Sequence, residues 1–123
     1  MPTVVAFAPD LLDQSRIAAA ATAGGRRLVL ARTAAEIPQH LEDISTLVLA
    51  DLSRPGVLQV LPALGSSRCV GFAPHIDGEL MRRARAAGCA QVFARSAFFA
   101  RLPELLGELA DDGTPQDRPP AAG

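Results

Sequence analysis

Five short apolar runs punctuate the chain, and each is followed by a stretch of different periodicity. The runs are Val4-Val5-Ala6-Phe7-Ala8, Leu28-Val29-Leu30-Ala31, Leu47-Val48-Leu49-Ala50, Cys69-Val70-Gly71-Phe72-Ala73 and Ala90-Gln91-Val92-Phe93-Ala94. Continuous apolar runs of this length predict strands buried on both faces. Leu11 to Ala23 has helical composition and stops at Gly24-Gly25. Thr33-Ala34-Ala35-Glu36 has the capping-box pattern and opens a short helix, with Pro38 early in it. Arg54-Pro55-Gly56 predicts a turn, followed by a short helix from Val57 to Leu64 that contains Pro62. Ile76, Leu80, Ala84 and Ala87 recur at helical spacing and end at Gly88. Leu102 to Leu109 predicts the last helix, with Pro103 near its start. Strands alternating with helices make the fold class α/β, a parallel sheet covered by helices on both faces.

Composition narrows the function classes. The 123 residues amount to one domain, expected over 1–110. The remainder, 111–123, is Gly, Pro, Asp, Gln and Ala in character and is expected to be a flexible tail. The net charge of −1 supplies no field to steer the protein to nucleic acid or to a membrane. Five Phe and no Trp or Tyr leave little surface for stacking bases. All 12 basic residues are Arg, so Schiff-base and P-loop chemistry that needs Lys is excluded. Two cysteines, Cys69 and Cys89, make neither a disulfide framework nor a four-ligand zinc set. No basic segment followed by a long apolar run marks the N-terminus, so a cytoplasmic location is the expectation. Gly-x-Gly-x-x-Gly, Gly-x-x-x-x-Gly-Lys, Gly-x-Ser-x-Gly and paired metal-binding His motifs do not occur.

In an open parallel sheet, chemistry collects at the carboxyl ends of the strands. The polar residues there are Asp10 and Asp13 after the first strand, and Asp51 and Ser53 after the third. His75 and Asp77 follow the fourth, and Arg95 and Ser96 the fifth. Each has a structural reading beside the chemical one. Asp10 and Asp77 precede helices and suit N-caps. Asp13 suits a solvated first-turn charge on the helix dipole. His75 suits an ordinary loop position, and His40 a surface one. Asp51 directly after an apolar strand invites chemistry, or an ion pair with Arg54 or Arg95. Cys69 and Cys89 fall near the amino ends of their strands as buried thiols, at positions that allow them to be neighbours.

The segment Leu47-Val48-Leu49-Ala50-Asp51-Leu52-Ser53-Arg54-Pro55-Gly56 resembles the phosphoacceptor strand and loop of bacterial response-regulator receiver domains. Ala84-Arg85-Ala86-Ala87-Gly88-Cys89-Ala90-Gln91-Val92 is similar to that family's fourth helix and fifth strand. The resemblance implies a flavodoxin-like, three-layer α/β/α fold with a five-stranded parallel sheet in the order 2-1-3-4-5. It also implies phosphoryl transfer from a histidine kinase to Asp51 in the presence of Mg²⁺. Asp10 would be a metal ligand, Asp51 both phosphoacceptor and ligand, and the Ser53 backbone carbonyl would complete the metal site. Arg95 would contact the phosphoryl group. Arg82 and Arg85, with Phe98 and Phe99 beside them, would form the partner-binding surface, one Phe being expected in the core and the other as an exposed anchor.

Several positions depart from the family pattern. Pro9 stands in place of the first acidic residue, and Ala73 in place of a Ser or Thr hydroxyl. Arg95 and Ser96 stand in place of Lys and Pro. One carboxylate fewer weakens a Mg²⁺ site, and an Arg fork does not replace a Lys point charge. Phosphoryl transfer depends on positioning and electrostatics, so an incomplete set should be slow or inert. The sequence therefore reads as a non-enzymatic, degenerate receiver, or pseudo-receiver, with no cofactor or weakly bound Mg²⁺. It would act through a protein partner, a histidine kinase or an output protein, or through a homodimer. The alternatives are a single-domain response regulator phosphorylated on Asp51, and a small-ligand-binding or enzymatic flavodoxin-like domain.

Overall fold

A computed structural model describes residues 3–41, 46–64 and 68–110. Five parallel strands form one sheet in the order β2-β1-β3-β4-β5: β1 Thr3–Phe7, β2 Arg27–Leu30, β3 Leu47–Asp51, β4 Arg68–Ala73 and β5 Gln91–Ala94. This is the flavodoxin-like arrangement. Val5 lies between Val29 and Val48, and Gly71 lies between Ala50 and Val92. The three inner strands are buried along almost their whole length. Their continuous apolar runs follow from that burial, because alternate side chains enter opposite layers.

One layer holds helices α1 (Leu11–Ala23) and α4 (Arg95–Ala110). Val4, Ala6, Leu47, Leu49, Val70 and Phe72 of the sheet meet Ile17 and Ala21 of α1 and Phe98, Leu102, Leu105 and Leu106 of α4. Phe72 and Phe98 stack with ring centroids 4.3 Å apart, a contact worth about 1 kcal/mol beyond the area it buries. The other layer holds a 3-10 helix over Ala34–His40, then α2 (Val57–Val60) running into a 3-10 turn over Leu61–Leu64, and α3 (Gly78–Ala86). Val5, Phe7, Val48 and Ala50 pack there against Ile37, Val57, Leu61 and Ala84.

The helix ends follow from their sequences in most places. Asp10 caps α1 by accepting from the N–H groups of Leu12 (2.9 Å) and Asp13 (3.1 Å), and Asp77 caps α3 by accepting from Leu80 N–H (2.8 Å). The turn before α2 needs a left-handed residue, and Gly56 supplies it at φ 85°. Three local expectations change. The segment from Ala34 is a 3-10 helix, and Thr33 makes no side-chain cap. Glu36 reaches one residue further back, to Arg32 N–H at 3.0 Å. Helix α4 begins at Arg95, directly after β5, and not at Leu102. Pro103 sits well inside that helix and is exposed, so the carbonyl it leaves without an N–H partner is on the outer side, where water can serve it. The edge strand β2 is half-exposed, because the sheet ends there. The tail expected from Asp111 lies outside the described residues. No helix among the described residues is long and apolar enough to cross a membrane.

Candidate functional site

The carboxyl ends of β1, β3, β4 and β5 open into a cleft of about 230 Å³ lined by Asp10, Asp13, Asp51, Ser53, Arg54, Pro74 and Arg95. Asp51 is the last residue of β3, and its side chain is buried. The strand continues pairing for one more residue: Leu52 N–H donates to the Phe72 carbonyl at 2.7 Å, and its side chain folds over Gly71. That turn aims the Asp51 carboxylate into the cleft. Its Oδ1 accepts from Ser53 N–H at 3.0 Å and from Ser53 Oγ at 2.6 Å, and Arg54 Nε lies 3.4 Å from Oδ2. Both oxygens therefore have protein donors from the two residues that follow Leu52. The ion pair with Arg54 weighed from the sequence is present, although Arg54 is itself largely exposed.

Asp13 overturns its reading as a solvated helix charge. Its side chain is 2% exposed and is held by Arg95 from the far end of the chain. Arg95 Nε lies 3.0 Å from Asp13 Oδ1 and 3.2 Å from Oδ2, and Arg95 Nη2 also donates to Oδ1. The same guanidinium sits over the Phe99 ring, 5.8 Å from its centroid, with Arg16 at 5.3 Å. A two-point grip on a carboxylate together with an aromatic platform fixes the orientation of a planar guanidinium. Arg95 thus commits Nε and Nη2 to Asp13. The sequence places Asp13 at this end of the sheet but as a solvated charge, and a signal for its burial exists. Asp13, Ile17 and Ala21 are four residues apart and are the buried positions of α1, so Asp13 lies on the inward stripe.

Asp10 also faces the cleft and is exposed. The N–H groups of Asp13 and Leu12, with the cations of Arg95 and Arg54 nearby, hold its carboxyl below the ordinary range. One of its oxygens, Oδ1, is taken by the capping bonds. Asp10, Asp51, Ser53 and Arg95 are therefore brought together as their spacing suggested, with Asp13 and Arg54 added. Pro9 and Ala73, where an acid and a hydroxyl would extend this constellation, contribute neither.

The four residues expected to form a partner surface are not brought together. Arg82 and Arg85 are exposed on α3, where Arg82 pairs with Glu79 at 2.8 Å. Phe98 is fully buried on the opposite side of the sheet, which makes it the core ring of the Phe98-Phe99 pair and removes it from the expected partner surface. Phe99 is half-buried on α4, edge-on to Phe98 at 4.9 Å and beside Arg16 of α1, so it lies away from α3. The exposed large apolar side chains near the cleft are instead Leu11 and Leu12, at 77% and 56% exposure. His75 is exposed in the turn after β4, and His40 lies 3.6 Å from Glu36.

A magnesium ion is what a receiver-like cleft would take, and the donors can be tested for it. Mg²⁺ uses one or two carboxylates with open oxygens in octahedral geometry. Here the Asp13 carboxylate is closed by Arg95, the Asp51 oxygens by Ser53 and Arg54, and Asp10 retains a single oxygen outside its cap. Among the described residues no group of three His, Cys, Asp or Glu side chains is placed to hold a metal. The set as arranged does not fit the ion.

No protein-family model matches the chain, and no curated protein matches it in sequence. Solved structures do match in shape. A response regulator from Thermotoga maritima superposes with a TM-score of 0.72 at 14% identity, over 89% of this chain and 97% of that one. The chemotaxis protein CheY4 of Vibrio cholerae gives 0.74 at 12% identity, over 89% and 98%. A response-regulator receiver domain from Rhodospirillum rubrum gives 0.69 at 17% identity, over 88% and 93%. At these identities the likeness is one of fold, and the chain has the CheY-like receiver fold.

Proposed function

We propose that this chain is a receiver-like signalling module that works by binding a protein partner and does not carry a phosphoryl group on Asp51. The observation that supports this most is that the buried carboxylates of the cleft are engaged by the chain's own donors. Arg95 is spent on Asp13, and Arg54 with Ser53 on Asp51. An aspartate nucleophile needs open oxygens and a divalent cation to orient the incoming phosphate. In this cleft the Asp51 and Asp13 carboxylates already carry donors from the protein itself, so neither enzymatic turnover nor a resident cofactor is part of the reading. Fold alone does not decide function, and the weight rests on these contacts. Arg82 and Arg85, exposed on α3, are the proposed side chains for an acidic partner surface.

A second reading, a response regulator phosphorylated on Asp51, draws support from the meeting of Asp10, Asp51 and a cation in one cleft. An NMR titration with Mg²⁺ and beryllofluoride, on wild type and Asp51→Ala, separates the two. The first reading expects the same flat response in both proteins. Saturable shifts around Asp51 in wild type that vanish in the variant would establish the second.

A further inference from the structure

The end of the sheet opposite the cleft holds both cysteines of the chain. Cys69 lies in β4 and Cys89 two residues before the start of β5, and their Sγ atoms are 3.8 Å apart. Both thiols are buried. Backbone bonds hold the two sides in place: Ala90 N–H donates to the Cys69 carbonyl at 2.8 Å, and Cys89 N–H to the Ala84 carbonyl at 3.0 Å. Neighbouring strands run about 4.8 Å apart with a rise of about 3.3 Å per residue, so positions one residue out of register are separated by roughly 6 Å. That is inside the Cα separation of about 7 Å within which a disulfide closes without moving the backbone. Cys89 also follows Gly88, whose φ of 107° places a turn directly before it.

We propose that Cys69 and Cys89 are a redox-active pair, closed to a disulfide by a peroxide. The Cys89 thiolate attacks one peroxide oxygen, forming an S–O bond as the O–O bond breaks, and the departing hydroxide leaves as water. The Cys69 sulfur then attacks the Cys89 sulfur. An S–S bond forms, the S–O bond breaks, and the Cys69 proton leaves with the hydroxyl as a second water. Two thiols lose two electrons and one peroxide is reduced to two waters. Cys89 is the attacking sulfur. It lies at the turn, and hydrogen bonding with Cys69, with the Arg85 cation nearby, lowers its thiol below the ordinary value. The same bond and burial raise that of Cys69. The bridge would tie β4 to the C-terminal end of α3, the helix that presents Arg82 and Arg85.

Intact mass and thiol alkylation under denaturing conditions, after treatment of the full chain with hydrogen peroxide, test this. Wild type is expected to lose two hydrogens, to keep no alkylatable thiol, to remain monomeric on a non-reducing gel, and to recover both thiols with dithiothreitol. Cys69→Ser is expected to retain an oxygen on Cys89 that dimedone traps. Wild type that keeps both thiols, gains oxygen without losing hydrogens, or cross-links only between chains would overturn the pairing.

Discussion

Asp13 and Arg95 are 82 residues apart in sequence and form a buried, two-point ion pair that joins the first turn of α1 to the first residue of α4. The pair anchors the start of both helices that cover one face of the sheet. It also engages, on Asp13, the cation that its position at the cleft suggests for phosphate.

The two partners should not be equivalent. Asp13 is almost fully buried, and Arg95 is about one-third exposed. Arg95→Met leaves a buried carboxylate without compensation and should cost about 3 kcal/mol. Asp13→Asn leaves a guanidinium that reaches water and should cost nearer to about 1 kcal/mol. The double variant should lose clearly less than the sum, since each change removes the same contact. Urea unfolding of the four proteins gives the cycle, and equal, additive losses would contradict the burial assigned to Asp13.

Acid should weaken α1 through its cap. The Asp10 carboxyl titrates below its free value of 3.8 in the folded chain, because its charged form accepts the N–H groups of Asp13 and Leu12. A depressed folded value means that the charge contributes its full stability above about 3.8 and loses it as pH falls through the folded value. Asn caps without a charge. The stability difference between wild type and Asp10→Asn should therefore be constant at neutral pH and shrink below that window. A difference that grows on acidification would show that the charge is not stabilising.

Gly71 is set by a close approach. A Cβ there would stand 2.6 to 2.8 Å from the Leu52 side chain. Leu52 cannot retreat freely, because its side chain is buried in the core and its backbone is held by the bond to the Phe72 carbonyl. Gly71→Ala should cost about 1–3 kcal/mol through overpacking. Leu52→Ala in the same chain should recover part of that loss, whereas two independent losses would argue that Gly71 is needed for its backbone alone. Since Leu52 directly follows Asp51, Gly71→Ala should also shift the Asp51 and Ser53 amide resonances.

The strands and their parallel sheet were legible because each strand is a contiguous apolar run and because Asp10, Gly24, Asp77 and Gly88 mark helix ends locally, while the strand order came from the resemblance of the segment around Asp51 to receiver domains. Asp51 at the strand tip was legible for the same reason. What stayed hidden depends on residues far apart in sequence. Nothing near Asp13 announces Arg95, and only its spacing from Ile17 and Ala21 hints at burial. The early start of α4 was masked by Pro103, which reads as a helix beginning. Phe98 and Phe99 are adjacent in sequence, and their separation into core and half-buried ring is set by Phe72 and Arg16.

We propose that the chain's own side chains, by engaging the carboxylates around Asp51, prevent phosphoryl transfer to it. Intact mass of wild type and Asp51→Ala after incubation with acetyl phosphate and Mg²⁺ tests it most directly. No phosphoryl adduct is expected on either protein. An adduct on wild type that Asp51→Ala abolishes would contradict the claim.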